Sequence, residues 1–209
     1  SADELHITVK GKGGHAALPD RLKDPVLMAA HLIVALQQVV SRQNNPKMPS
    51  VLSIGKVEAK GATNVIPNEV KLEGTFRTFD EKWRFEAHEN MKALAAGLVE
   101  GMGGKVDFDL RVGYPSVFNH PELTERMKAH AIAYLGEENV IDLDMRMTAE
   151  DFSYYTHHLP GCFYRLGTAA SDGSYRGLHT STFDIDENAL KTGVGLMAFL
   201  ALTEINTVK

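Results

Sequence analysis

Alternation of apolar and polar residues in the first half of the chain constrains its fold more than any other feature. Three segments show the two-residue period of a half-buried strand: 5–9, 70–76 and 106–112. A further strand is expected at 51–57, and two segments, 26–40 and 83–98, carry apolar residues at helical spacing. The order β-α-β-β-α-β predicts a ferredoxin-like sheet with two helices on one face.

Residues suited to helix caps mark the ends of both helices. Asp24 precedes the first helix and Asp80 the second, so each carboxylate can accept hydrogen bonds from a first helical turn. The turn at 44–46 ends the first helix, and the glycine-rich segment 101–104 ends the second. The histidines within these helices, His31 and His88, are expected on the helix surfaces.

The second half of the chain does not repeat this pattern. Helices are expected at 121–135 and after Asp186, and short strands at 140–143 and 162–166. Two short strands and two helices make a poor independent core, because a two-stranded sheet is marginally stable alone. We therefore expect an α+β chain with one domain at 4–114, followed at 115–209 by a segment of a larger α/β layer.

Composition argues against two classes of partner. The net charge of −5 and the pI of about 6.0 leave no cationic surface for general binding of a phosphate backbone. Neither a signal peptide nor an apolar run of membrane-spanning length is evident, and the lone Cys162 cannot form an intramolecular disulfide. We expect no nucleic-acid partner, no membrane partner and a cytoplasmic location.

Six short motifs follow one another along the chain. They are Gly-Lys-Gly-Gly-His15-Ala-Ala-Leu-Pro19, Thr63-Asn64-Val-Ile-Pro67, Gly74-Thr-Phe-Arg77, Glu150-Asp151-Phe152, Leu166-Gly167-Thr168 and Leu178-His179-Thr180. Together they resemble the aminoacylase and carboxypeptidase family of co-catalytic metallopeptidases, and more narrowly its amidohydrolase branch with N-acyl-amino-acid and hippurate hydrolases. In that family a lid or dimerisation domain interrupts a catalytic α/β domain. The resemblance implies that 4–114 is the lid and that 115–209 is the C-terminal part of the catalytic domain.

The resemblance also implies roles for four residues. His179 matches the family's distal metal ligand. His15 matches the lid histidine that reaches the partner subunit's active site and steadies the substrate carbonyl. Asn64 and Arg77 match positions near the substrate's carboxylate or carbonyl, and the planar fork of an arginine can hold a carboxylate with two hydrogen bonds.

Three of these residues have simpler interpretations. His179 could be a solvated loop histidine, and His15 could be a turn residue at the end of a strand. Arg77 could form a surface salt bridge with Glu73 or Asp80.

The resemblance implies that the chain is a portion of an enzyme, a metal-dependent amidohydrolase that cleaves the amide of N-acyl amino acids or small peptides by metal-activated water. It implies that the complete enzyme binds a divalent transition metal, with two ions such as Zn, Mn, Co or Ni. It also implies a homodimer formed through the lid. The family's remaining metal ligands and its general base have no counterpart in these 209 residues. We therefore expect this chain alone to be inactive. The alternative is a non-catalytic dimerisation or ligand-binding module that retains the lid fold.

Overall fold

A computed structural model describes residues 1–170 and 176–207, which form two compact units. The first unit consists of Ser1–Val117 and Arg146–Tyr154. The second consists of the described residues of Phe118–Met145 and Tyr155–Lys209.

The first unit contains long strands, two very short strands and two long helices. In chain order they are β1 (Asp3–Lys10), β2 (Gly14–His15), α1 (Pro25–Gln38), β3 (Ser50–Glu58), β4 (Val65–Ile66), β5 (Glu69–Thr78), α2 (Glu81–Gly101) and β6 (Lys105–Val112). A 3₁₀ turn at Pro19–Arg21 precedes α1, and a π-helical turn at Val39–Gln43 extends it.

The long strands form an antiparallel sheet in the order β3-β5-β1-β6. β1 is central, and Asp3 at its start pairs with Phe76 of β5 and with Val112 of β6. This sheet order, combined with the chain order β-α-β-β-α-β, is the ferredoxin-like arrangement. The predicted α+β fold class is confirmed.

The core of the first unit lies between the sheet and the helices α1 and α2. Alternate residues of β1 and β5 and one face of each helix are buried there. The largest apolar members are Leu5, Ile7, Val9, Met28, Leu32, Leu36, Val39, Val70, Leu72, Phe76 and Met91. The two-residue period of the strands thus determines which sheet face meets the helices.

Helix α1 departs from one expectation drawn from the sequence. Together with its π turn it covers Pro25–Gln43, which is long and apolar enough for a membrane span by length and composition alone. Its buried side chains, Met28, Leu32 and Leu36, belong to the core beneath the sheet. The segment is therefore placed as the core helix of a globular domain.

The cap predicted for α1 is present, since Asp24 Oδ1 accepts hydrogen bonds from the first turn of the helix.

A buried charged cluster joins β1, α2 and the end of β6. Arg84 is 2% exposed and donates to both carboxylate oxygens of Asp3, through Nε at 2.9 Å and through Nη2. His88 Nε2 lies 2.7 Å from Asp3 Oδ2, and the Gly113 N–H donates to Oδ1 at 3.0 Å. The surface position expected for His88 is therefore wrong, because this ring follows Arg84 by one turn on the buried face; His31 is exposed as expected.

The hydrogen bonds of this cluster control the ionisation of Asp3. Burial alone would raise the pKa of its carboxyl, but hydrogen bonds from Arg84, His88 and the Gly113 N–H outweigh burial and hold the pKa well below its usual range. A carboxyl with a depressed pKa in the folded state stabilises the fold above its unfolded pKa of about 3.9. That stabilisation is lost as the pH falls towards the folded-state pKa.

The second unit is formed by helices. They are α3 (Pro121–Leu135), the short α4 (Ser153–Thr156), which is shared with the first unit, and α5 (Asn188–Thr207); a 3₁₀ turn at Glu137–Asn139 follows α3. α3 packs against α5, where the Tyr134 and Phe199 rings lie 5.3 Å apart and Arg126 makes two hydrogen bonds with Glu204. The helices predicted at 121–135 and after Asp186 are confirmed, and Asp186 Oδ1 accepts from the Asn188 N–H at 2.9 Å.

The strands predicted at 140–143 and 162–166 are wrong. The described residues in both segments are irregular. A strand needs a hydrogen-bonded neighbour, and a pair of short strands without a larger sheet is marginal. Apolar composition alone therefore did not produce strands here.

Helix α5 presents apolar residues on two faces. Leu196 and Leu200 are buried. Along another stripe of the helix the side chains are exposed by more than half: Leu190, Val194, Met197 and Ile205. A helix that is apolar around most of its circumference is typical of a buried position.

We predict that Asp3→Asn destabilises the chain by about 3 kcal/mol at neutral pH, because Arg84 then stays buried without its main counter-charge. The difference between wild type and variant should shrink as the pH falls below about 4, where the wild-type carboxyl begins to lose its stabilising ionisation. Urea unfolding at several pH values measures both effects. Asp109→Asn, which removes an exposed carboxylate that pairs with Arg111, is the control and should change stability by less than about 0.5 kcal/mol. Equal losses in the two variants would contradict the prediction.

Candidate functional site

Two loops of the first unit carry His15 and Asn64. We call residues 11–18 the His15 loop and residues 60–68 the Asn64 loop. The ladder of β2 and β4 joins them, with His15 paired to Val65, and the Ala16 N–H donates to the Asn64 carbonyl at 3.0 Å. The structure therefore places His15 and Asn64 next to each other along one small antiparallel sheet. The sequence predicts only a glycine-rich turn before His15 and a loop at 60–67, because strands of two residues show no period.

The imidazole of His15 is exposed and has a defined backbone partner. The Ala17 N–H donates to its Nδ1 at 3.1 Å. A ring nitrogen that accepts a hydrogen bond carries no proton in the neutral imidazole, so neutral His15 carries its proton on Nε2. The Nε2–H is then the group that can donate to a substrate oxygen.

Close backbone contact between the two loops leaves no room for a side chain at Gly13. A Cβ at this position would lie 2.3 Å from the Ile66 carbonyl oxygen and 2.7 Å from the Pro67 carbonyl carbon. Gly14 has a φ of 150°, a conformation that other residues rarely adopt. The glycines before His15 thus permit the pairing of the two loops.

Asn68 was not singled out from the sequence. Its Oδ1 accepts from the Gly13 N–H at 2.9 Å, and its carbonyl accepts from the Gly11 N–H at 2.9 Å. The available signal was its position directly after the Pro67 turn, where an Asn side chain often binds nearby backbone groups. Asn68 therefore belongs to the structure that holds the His15 loop.

Arg77 lies half-buried on the polar phase of β5. Its Nη1–H donates to the Met147 carbonyl at 2.9 Å. The salt bridge considered for Arg77 is not found among the described residues, because Glu73 pairs with Lys56 and Asp80 caps α2. Because the Met147 carbonyl is the one hydrogen-bond partner of Arg77 among the described residues, further N–H donors of the guanidinium can hold an anionic ligand.

His179 belongs to the second unit and occupies a turn. Its φ is 62°, in the left-handed region that few residues other than glycine adopt, and its side chain is exposed. The turn is closed by Thr180, whose Oγ1 donates to the Gly177 carbonyl at 2.7 Å. The structure therefore places the imidazole of His179 on an exposed turn, where a ligand could reach it.

The described residues do not fit a complete metal centre. Within 1–170 and 176–207, no three His, Cys, Asp or Glu side chains come together as a possible metal site. His179 is one imidazole, whereas a catalytic zinc is held by about three protein ligands. A metal bound through His179 needs ligands from elsewhere.

An open groove of about 500 Å³ is lined largely by backbone and side chains of the two loops, among them Gly13, Gly14 and Asn68. Four charged side chains line part of it, but they pair with one another: Lys60 with Glu58 at 2.9 Å and Lys71 with Glu69 at 3.6 Å. Neither His15 nor Arg77 is among its lining residues. The groove is therefore not the candidate site.

We predict that Gly13→Ala destabilises the first unit by about 1–3 kcal/mol, because the new methyl group would overlap the Ile66–Pro67 backbone. The Ala16 amide, which bonds to Asn64, should then exchange its hydrogen faster. Gly97→Ala on α2 is the matched control: a Cβ there meets nothing within 4 Å, so it should stabilise the helix by about 0.5–1 kcal/mol. Urea unfolding and amide hydrogen exchange measure the two changes, and a loss of stability from both variants would argue against the contact.

The chain is similar to known proteins over almost its whole length. Residues 1–101 match the family model for the peptidase dimerisation domain. The chain is 35% identical over 209 residues to the N-acetylcysteine deacetylase of Bacillus subtilis (strain 168), covering 100% of this chain and 53% of that protein. It is 32% identical over 198 residues to the N-acetyldiaminopimelate deacetylase of Brevibacillus brevis, covering 95% of this chain and 52% of that protein.

A solved structure agrees with these relatives. The YxeP protein of Bacillus subtilis, described as a dinuclear metal binding peptidase from the M20 family, matches with a TM-score of 0.73 and 29% identity over 99% of this chain and 51% of that one. The chain spans about half the length of the curated relatives it matches. The resemblance drawn from the six motifs is confirmed. Residues 1–101 match the peptidase dimerisation domain, and the chain over nearly its whole length is similar to deacetylases of N-acetylated amino acids and to a peptidase of the M20 family.

Proposed function

We propose that this chain is the lid and the C-terminal catalytic segment of a metal-dependent enzyme that hydrolyses the amide of N-acyl amino acids. The observation that carries the proposal is the pairing of β2 with β4, which presents His15 and Asn64 together. The names of two relatives, both deacetylases of N-acetylated amino acids, support this substrate class.

Each candidate residue has a role that suits its surroundings. The Nε2–H of His15 donates to the substrate carbonyl oxygen as negative charge develops on it, in the active site of the partner subunit. The Asn64 amide binds the same substrate through hydrogen bonds. The Arg77 guanidinium holds the carboxylate of the amino-acid part with the donors that Met147 does not use.

Divalent metal ions would supply a water activated for attack on the amide, and Zn²⁺, Mn²⁺ and Co²⁺ are the ions to test. His179 is the ligand that this chain contributes. The remaining ligands come from the portion of the protein that these residues do not include, and the exposed apolar face of α5 supports such a portion packing against the second unit.

Hydrolysis assays on the complete protein and on the 209-residue chain test this proposal. With added Zn²⁺, Mn²⁺ or Co²⁺, the complete protein should release the amino acid from at least one member of a panel of N-acetyl amino acids, including N-acetyl-L-cysteine. The 209-residue chain should release none, and calorimetric titration should find fewer than two tightly bound ions per chain. Tight binding of two ions by the 209-residue chain alone, or hydrolysis by it, would overturn the proposal that most metal ligands lie outside this chain.

We further propose that two copies pair through the lid, along β3 and α1. β3 is an edge strand whose outer backbone groups have no neighbour in the sheet of the first unit. The exposed face of α1 carries Leu27 at 51% and Val34 at 74% exposure. The match to a dimerisation domain supports a two-fold contact of this kind. A non-catalytic module would use the same surface, and the hydrolysis assay separates the two functions.

We predict that Val34→Glu and Ala30→Glu shift the protein from dimer towards monomer, because each places a charge on the exposed face of α1. Ala93→Glu is the control, since it makes the same change at an exposed position of α2. Sedimentation velocity at several concentrations measures the distribution. A wild-type protein that is monomeric at every concentration, or an equal shift in Ala93→Glu, would refute this interface.

A further inference from the structure

We infer that Asn68 is a positioning residue for catalysis, which acts by fixing the loop that carries His15; this inference rests on the function proposed above for His15. Asn68 binds the turn before His15 twice. Its carbonyl accepts from the Gly11 N–H and its Oδ1 accepts from the Gly13 N–H, both at 2.9 Å. One residue thus holds two alternate amides of the segment that leads from β1 into β2.

Asn68 and Asn64 hold the backbone on the two sides of His15. On the C-terminal side of His15, the Ala16 N–H donates to the Asn64 carbonyl at 3.0 Å. On the N-terminal side, the Gly13 N–H donates to Asn68 Oδ1. Asn64 precedes β4 and Asn68 follows it. The short segment 64–68 therefore holds the backbone on both sides of His15.

The side chain of Asn68 holds the Gly13 amide, which lies between the backbone bridge of Lys12 with Lys23 and the β2–β4 ladder. The β2–β4 ladder has only two residue pairs, Gly14 with Ile66 and His15 with Val65. Consecutive glycines at 13 and 14 allow many backbone conformations, so ordering them costs more entropy than ordering other residues. The acceptor at Oδ1 selects the conformation in which Gly13 lies against the Ile66–Pro67 backbone.

This geometry specifies which property of Asn68 matters. The Gly13 N–H requires an oxygen acceptor, which Asn and Asp both supply at the same distance from the backbone. Asn68→Asp should therefore retain the positioning, whereas Asn68→Ala should lose it. Asn45→Ala is the matched control, because it also removes an Asn oxygen that accepts a backbone N–H, from Lys47 at 3.0 Å in the loop before β3.

Steady-state kinetics of the complete protein test the inference, using the member of the N-acetyl amino acid panel that the wild type hydrolyses. Asn68→Ala should lower kcat roughly 10- to 100-fold, the loss that a small misplacement of a catalytic group causes. KM should change little, since His15 acts on charge that develops in the transition state. Asn68→Asp should restore kcat, and Asn45→Ala should leave it unchanged.

A double-mutant cycle with His15→Ala separates positioning from general damage. In the His15→Ala background, Asn68→Ala should cause no further loss of kcat, because the group that it positions is gone. A full additional loss in that background, or an Asn68→Ala variant with wild-type kcat, would overturn the inference.

Hydrogen exchange distinguishes failure of this inference from failure of the proposed function. If no panel member is hydrolysed, or if His15→Ala keeps the wild-type kcat, the function assigned to His15 is wrong. The amides of Gly13 and Ala16 then decide whether Asn68 holds the loop. Faster exchange at both amides in Asn68→Ala, but not in Asn68→Asp, supports the positioning; unchanged exchange refutes it.

Discussion

The hydrogen bonds between Asp3 and Arg84 are the interaction on which the first unit depends. They join the start of the central strand to the longer helix, and both side chains are almost fully buried. Removing two charges from water is unfavourable unless every remaining polar group finds a partner. The cluster meets this condition, because Gly113 and His88 bind the carboxylate while Glu81 binds a further nitrogen of the guanidinium. The register of β1 is fixed at this end, and the His15 loop leaves from its other end.

This cluster also shows what the sequence could and could not predict. The alternation of β1 was sufficient to predict the strand, and it placed Asp3 on the same side as Leu5. A carboxylate on the buried side requires a cation, and Arg84 and His88 repeat at the helical spacing of the buried Met91. The pattern was therefore present, but polar residues in a helix were interpreted as exposed. A buried pair is recognised only when both partners are considered together.

Segments whose structure depends on a distant neighbour were predicted less well. The helices were found because capping and spacing are local, as at Asp24 and Asp80. The apolar segments at 140–143 and 162–166 resemble strands in composition but have no sheet to join among the described residues. The opposite error occurred at β2 and β4, which are too short to show a period and exist only because each supplies the other's hydrogen bonds.

The candidate residues of the two units differ in how firmly their surroundings hold them. The first unit buries its own core, and backbone hydrogen bonds hold His15 beside Asn64 before any ligand binds. The motifs identified His15 and Asn64 by their chemistry. The hydrogen bonds by which Asn64 and Asn68 hold the residues before and after His15 depend on the pairing of two loops, which no motif encodes. The second unit offers His179 without further ligands among the described residues, and α5 leaves an apolar face uncovered. The lack of further metal ligands beside His179 among the described residues agrees with a chain that spans about half the length of the curated relatives it matches. Under the proposed function, the contacts that His15 and Asn64 make with a substrate depend on groups that this chain already holds in place, whereas hydrolysis depends on metal ligands from the rest of the protein.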